Sequence, residues 1–559
     1  MSTNRFIAPV LILAACFHLL ALSACSDHAD IGKKVIVENK DQLDDKAGEV
    51  IHGTIKDLLS GDTDLGDSFR IRNTQVVSFL YDASDYKPLW TTDGNFTPAA
   101  DSLLSFIARG KQFGLFPEDY YQQRIRNLRT QLVGDTSRTE QKLDAALWSY
   151  SDMLMTSAFV QLVRDLKVGR IQPDSIVARD SSLNGKFYQE QLTWFKKLTA
   201  DSFAKRIEPT HSGYQDLRQA LQKFLATANL KNYTPINLKD TLNWPKLVYR
   251  RLREEDSTLT ANASPDSLTV AAAIKKYQKR KKQKLDGRLT PDLVKRLNTT
   301  DKEKFIRIAI TLDRYKILPK LPEQYVWVNI PAYYLQVHDS DSVALRSRVV
   351  VGKPETRTPI ITSAIENMIT YPKWTIPESI IKKEILPGLK RDPGYTRKKG
   401  FSLVDDEGNE IDPYKVNWSK YKEMIPYRVV QGSGDDNALG VLKFNFANKY
   451  SVYLHDTNQR HLFGRSARAL SHGCVRVQAW NELAEYLLRN DSMKSANAVK
   501  IDSLSSWLST KQKKYIPVRK PMPLYIRYFT CEAKEGKLVF YDDIYGEDKR
   551  IREKYFATK

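Results

Sequence analysis

Between residues 143 and 166 apolar side chains recur every three or four positions: Leu143, Leu147, Tyr150, Leu154, Ala158, Leu162 and Leu166. This spacing predicts one long amphipathic helix, and Gly169 followed by Pro173 predicts its stop. Most of 46–235 has the same texture, punctuated by Pro88-Leu89-Trp90 and Gly114-Leu115-Phe116-Pro117. It is expected to be a helical scaffold domain without chemistry of its own. Three shorter apolar sets lie in 236–302: Leu247, Val248 and Leu252; Val270, Ile274 and Tyr277; Leu293, Val294 and Leu297. They predict three short helices, the third capped by Thr290 with Pro291 at its first position.

From about 322 the period shortens. Tyr325 to Ile330, Tyr334 to Val337, Val343 to Val351, Val441 to Phe446 and Tyr450 to Leu454 are rich in β-branched and aromatic residues with partial alternation, which predicts strands. The expected fold class is therefore a multidomain α+β chain whose β-rich domain spans 303–510. Within it, about 371–430 reads as an irregular, aromatic, turn-rich insertion with Trp374, Tyr395, Trp418, Tyr421 and Tyr427. Such an excursion is either a lid or a passive surface loop. Residues 511–559 are expected to form a C-terminal extension packing on this domain.

At 559 residues the chain is too long for one core. Its 87 Lys and Arg against 66 Asp and Glu give a net charge of +21, which favours polyanionic partners. The N-terminus narrows these. Arg5 precedes an apolar run from Ile7 to Leu22 that is short for a permanent span and ends Leu22-Ser23-Ala24-Cys25. This resembles a bacterial lipoprotein signal, with 1–24 removed, lipid on Cys25 and 25–45 as a tether; an ordinary signal peptide is the plainer reading. Export places the chain in the cell envelope, on the periplasmic face of a membrane, and argues against nucleic acid. The run Lys275 to Lys284, with seven basic residues in ten, reads as a solvated face, with a nucleic-acid or heparin patch as the sharper alternative and attraction to acidic peptides as an intermediate one. No histidines and cysteines fall at ligand spacing, so no metal and no cofactor are expected.

Two cysteines remain in the exported part. Cys531 lies in a strand-like run, as a packed free thiol would. A structural disulfide with Cys474 is the bland alternative in an oxidising compartment. The surroundings of Cys474 point elsewhere. It sits in Ser471-His472-Gly473-Cys474-Val475-Arg476, with His455 nineteen positions upstream at the end of a predicted strand. A thiol nucleophile needs an imidazole to take its proton. Trp480, Leu483, Ala484, Leu487 and Leu488 follow at helical spacing, so Cys474 is expected at a helix N-terminus, where dipole and free amides lower its pKa.

His455-Asp456-Thr457, the interval to the cysteine and the Ser471 to Arg476 motif together resemble the L,D-transpeptidase (YkuD-type) catalytic motif. The large multidomain, YcbB-type branch of that family is similar over roughly 70–555: in Val351-Gly352-Lys353-Pro354, in Pro372-Lys373-Trp374, in Asn437 to Phe444, and in the tail from Pro521 to Thr530. The module at 236–302, with Tyr277-Gln278, Asp286-Gly287 and Leu297-Asn298, resembles the peptidoglycan-binding three-helix module.

The resemblance implies that Cys474 attacks the third residue of a tetrapeptide stem and releases D-Ala. The resulting thioester is then passed to an acceptor amine as a 3→3 cross-link. It implies His455 as base, oriented by a main-chain carbonyl near Asp456. It also implies His472, Gly473 and Ser471 around an oxyanion region and Arg476 as a holder of site geometry. Asn437, Tyr427 and Trp374 are candidate substrate contacts. The implied partners are peptidoglycan stem peptides, a membrane reached through the lipid anchor, and peptidoglycan synthases. Related acyl transfers (lipoprotein attachment, D-amino-acid exchange, cross-link hydrolysis) share the thioester, and a non-catalytic wall-binding lipoprotein is the reading from another class.

Overall fold

The computed structural model describes residues 34–60, 71–133, 143–171, 183–237, 243–493 and 499–559. The signal, Cys25 and the first nine residues of the expected tether, 25–33, lie outside them. The chain divides into two compact units, one gathering residues up to 101 with 123–160, the other 102–122 with 161–559.

In the first unit the expected tether is corrected at its C-terminal end. The Val37 amide donates to the Leu143 carbonyl at 2.9 Å, and a helix already runs over Leu43–Ser60. Its Leu43, Ala47, Ile51 and Ile55 are buried at four-residue spacing, so the apolar stripe begins before residue 46 and this stretch folds against the body. Deeper in, buried Asp152 on the helix Ala145–Lys167 accepts from the Tyr81 hydroxyl (2.7 Å) and from the amides of Leu89, Trp90 and Thr91 (2.8–3.0 Å). A fully satisfied carboxylate of this kind ties the Pro88-Leu89-Trp90 segment to the helix.

In the second unit the three predicted short helices are Trp244–Glu255, Ser267–Arg280 and Pro291–Asn298, sharing a core of Val248, Leu252, Ile274, Val294 and Leu297. Thr290 caps the third by accepting from the Leu293 amide at 3.2 Å. The Asp286-Gly287 turn is stitched to Gln278, which donates to Asp286 and accepts from the Gly287 amide. Lys276 and Arg280 of the basic run turn back to pair with Asp256, so part of that run is internal structure.

Among the described residues, the main sheet of the β-rich region has nine strands: β1 Gln324–Asn329, β2 Tyr334–Asp339, β3 Ser342–Gly352, β4 Ile361–Thr370, β5 Leu442–Phe446, β6 Leu454–His455, β7 Ala469–Ser471, β8 Val475–Val477 and β9 Tyr515–Arg527. Their order is β7-β3-β8-β6-β5-β4-β9-β1-β2, and β2 also pairs with β3. The pairing therefore runs round a closed circuit of eight strands with β7 attached at β3. The expected C-terminal extension needs correction here: β9 lies between β4 and β1, antiparallel to one and parallel to the other. Its prolines hid it, because Pro cannot donate to a ladder. Pro517 and Pro523 pair on the β4 side only, Pro521 falls in a register shift, and β1 joins only from Leu524 onward.

Alternation along β5 sets the two faces. Leu442, Phe444 and Phe446 enter the core with Leu454, Val475, Val477 and the Leu483, Leu487 and Leu488 stripe of the helix Trp480–Ser492. Lys443 points to the other face.

The insertion at 371–430 is likewise more regular than expected. Trp374–Thr375, Arg428–Gln431, Phe401–Val404 and Glu410–Ile411 form a four-stranded sheet. Ile376, Ile381, Leu386, Leu389, Trp418 and Val429 build a separate apolar core beneath it. Its strands are too short for periodicity to reveal them.

Candidate active site

Register brings the chemistry together. β6 and β8 run parallel with His455 opposite Arg476, and β5 lies antiparallel to β6 with Lys443 opposite His455. Side chains two apart share a face, so Tyr453, His455, Lys443, Cys474 and Arg476 are placed on one side of three adjacent strands. Cys474, His455, Trp374 and Ser451 line a cavity of ≈ 90 Å³. A second of ≈ 540 Å³, lined by Tyr427, Glu378 and Met424, adjoins it through Pro377, Ser451 and Tyr453.

Cys474 does not open a helix. It precedes β8, and the helix starts six residues later at Trp480. Val475-Arg476-Val477 pairs on both sides, with β6 and β3, and this ladder outcompetes the helical pattern that follows. No helix dipole therefore acts on the thiol. Burial instead pushes its pKa up to about 11, against the opposing pull of the Tyr453 amide, Lys443 and Arg476. Cys474 and Cys531 are both free thiols, which rules out the disulfide alternative.

His455 is buried, and Nδ1 hydrogen-bonds the Asp456 carbonyl. A carbonyl only accepts, so Nδ1 carries the proton and Nε2 keeps its lone pair. Burial and the neighbouring Arg476 push the pKa of the ring down to about 3, against main-chain contacts from Asp456 and Leu439. At neutral pH the resting pair is thus a neutral thiol and a neutral imidazole rather than a preformed ion pair. The Asp456 side chain accepts from the Val441 amide and pairs with Arg460 at 2.8 Å. It also fills the space a Cβ at Gly440 would need, which with φ +64° requires glycine there.

The turn before the cysteine is held by Ser471, whose hydroxyl donates to the Cys474 carbonyl (2.6 Å) and accepts from the Gly473 amide (3.2 Å). Gly473 adopts φ +126°, and its carbonyl accepts from Thr358. With both its polar groups engaged, Gly473 does not present its amide to an oxyanion. The oxyanion role expected of Gly473 is corrected accordingly. His472 lines the same cavity as Cys474, with its Nε2 2.5 Å from Glu384 of the insertion. Arg476 donates to Gln459 at 2.8 Å.

Asn437 is not a substrate contact. Its buried amide donates to the carbonyls of Pro372 and Gly432 and accepts from Leu439, closing the two ends of the insertion. Tyr427 packs on Trp418 and Trp374 on Phe401. Lys443 and Glu384 were missed, because a lysine in a strand and a glutamate in a helical turn carry no motif.

Residues 323–501 match the family described as YkuD, L,D-transpeptidase catalytic domain. The chain carries an L,D-transpeptidase catalytic domain. Residues 75–221 match a family described as a scaffold domain. A relative from Haemophilus influenzae, named a putative L,D-transpeptidase, is 36% identical over 254 residues, covering 45% of this chain and 50% of its own length. The chain thus spans about half the length of that curated relative. A solved structure titled as the Ldtfm–avibactam carbamoyl enzyme aligns at 12% identity over 37% of this chain and 49% of its own, with a TM-score of 0.16; that score carries no argument.

Proposed function

We propose that this protein is a cysteine L,D-transpeptidase that forms 3→3 peptidoglycan cross-links. The observation that supports it most is the placement of His455 and Cys474 at one cavity on neighbouring strands, the imidazole oriented by the Asp456 carbonyl, inside the YkuD-matching region. In the first step the Cys474 Sγ proton passes to His455 Nε2 as sulfur attacks the carbonyl of the third stem residue. The C–N bond to the terminal D-Ala breaks, its amine takes the proton from His455, and a thioester remains. The side-chain amine of an acceptor stem then attacks the thioester carbonyl, gives its proton to the site, and Cys474 leaves as the restored thiol. Two adjoining cavities, one at the thiol and a larger one under the insertion, suit a reaction that joins two peptides.

The three-helix module is proposed to hold the glycan–peptide mesh, and Cys25 to carry a lipid that keeps the enzyme at the periplasmic face of a membrane. Globomycin-sensitive processing tests the anchor. Muropeptide mass spectrometry of walls from cells producing wild type or Cys474→Ala tests the reaction. Tetrapeptide-derived 3→3 dimers are expected only with wild type, and dimers that persist in the variant would sink the reading. A carbapenem adduct on Cys474, read by intact mass, is the second check.

A further inference from the structure

Lys443 is half-buried on the site face of β5, directly opposite His455. Its ammonium lies 3.6 Å from the centroid of the Tyr453 ring, and among the described residues no acidic side chain pairs with it. Holding an ammonium away from water without a carboxylate costs folding free energy. The ring recovers part of that by cation–π attraction. On its face of the sheet stand His455 and the Tyr453 ring, with Cys474 and Arg476 beyond them on the neighbouring segment that enters β8. From the insertion, Glu384 faces not Lys443 but His472.

We infer that Lys443 is a further functional residue of this site, a fixed cation that stabilises the anionic sulfur of Cys474 and so sets how readily the thiol ionises. The inference rests on the proposed acyl transfer, where it supplies a missing element. The thiol and imidazole are both neutral at rest, no helix dipole assists, and the Gly473 amide and His472 ring are engaged elsewhere. When the Sγ proton leaves, the negative charge forms on the same face as the Lys443 ammonium. Coulomb attraction in a partly desolvated site favours that state over the neutral thiol. Lys443 forms no bond; burial lowers its pKa below the ordinary lysine value, so its charge acts on the thiol near neutral pH and fades in the alkaline range. The same charge disfavours the imidazolium of His455, so its benefit is greatest once the proton has moved on from the imidazole.

The test needs no peptidoglycan substrate. The rate of Cys474 alkylation by iodoacetamide is followed against pH on the full folded chain, with peptide mass spectrometry separating Cys474 from Cys531. Lys443→Met keeps the stem and removes the charge, and Lys443→Arg keeps the charge. At about pH 7–8, below the range in which either group titrates, Lys443→Met is expected to slow alkylation about tenfold, equivalent to about one unit in the thiol pKa. Lys443→Arg is expected to stay near wild type. An unchanged profile in Lys443→Met, or an equal shift in Lys443→Arg, overturns the inference. A shifted profile in an enzyme that makes no 3→3 dimers would sink the cross-linking reading and leave this one standing.

Discussion

Among the described residues, two free thiols stand in contrasting settings. Cys531 is fully buried beside Phe529, in an apolar cluster shared with Tyr315 and Phe556. Cys474 is partly buried at the mouth of a cavity with a histidine, a lysine and an arginine on the same sheet face. Burial pushes both thiols above their ordinary pKa. Burial alone therefore does not mark a nucleophile. The two differ in the company of neutral imidazole and unpaired cations, and in access from a cavity.

Exchanging what each cysteine does sharpens that contrast. Cys474→Ala should abolish 3→3 dimers and the drug adduct, read by mass spectrometry, while the circular dichroism melt stays close to wild type. His455→Ala should reduce turnover by about 10²–10⁴-fold, the range for losing a positioned general base; full activity would remove His455 from the mechanism.

The third test concerns pH. The folded pKa of His455 is depressed to about 3 from 6.5, so below 6.5 the unfolded chain binds a proton that the folded chain refuses. Its contribution to stability is complete above 6.5 and is lost as pH falls from 6.5 towards 3. His455→Gln should flatten that acid limb in denaturant titrations by up to about 4 kcal/mol; His338, also depressed by burial, would remain.

Smaller effects are expected at the other cysteine and at the insertion. Cys531→Ser places a hydroxyl in an apolar cluster and should cost about 1–3 kcal/mol of stability while leaving cross-linking per folded molecule intact. Glu384→Gln weakens the half-exposed contact to His472 and should change turnover only a few-fold. A large loss there would show that the insertion must be held on the motif for catalysis.

Much of the site was legible in the sequence because thiol chemistry restricts residue types. Ser471 to Arg476 with a strand-end histidine is a pattern few other chemistries need. The long helix, the Thr290 cap and the Asp286-Gly287 turn were legible for a related reason: their signals are local, carried within one or two turns. The failures share the opposite property. The helix expected at Cys474 gave way to a three-residue strand paired on both sides. The tail read as an appendage because prolines mask a strand whose partners lie about 150 and 200 residues upstream. Asn437 looked like a pocket residue, and only its three hydrogen bonds reveal a clasp.

By itself the sequence determined which cysteine and histidine are proposed as nucleophile and base, the helical character of the first half and the β-rich character of the second. Each is written in residue type or short-range spacing. The tertiary structure decided that Lys443 stands opposite His455, that His472 turns to Glu384, and that the thiol rests neutral. Those depend on strand register and on which groups lose water together, and both are set by contacts between segments far apart in the chain.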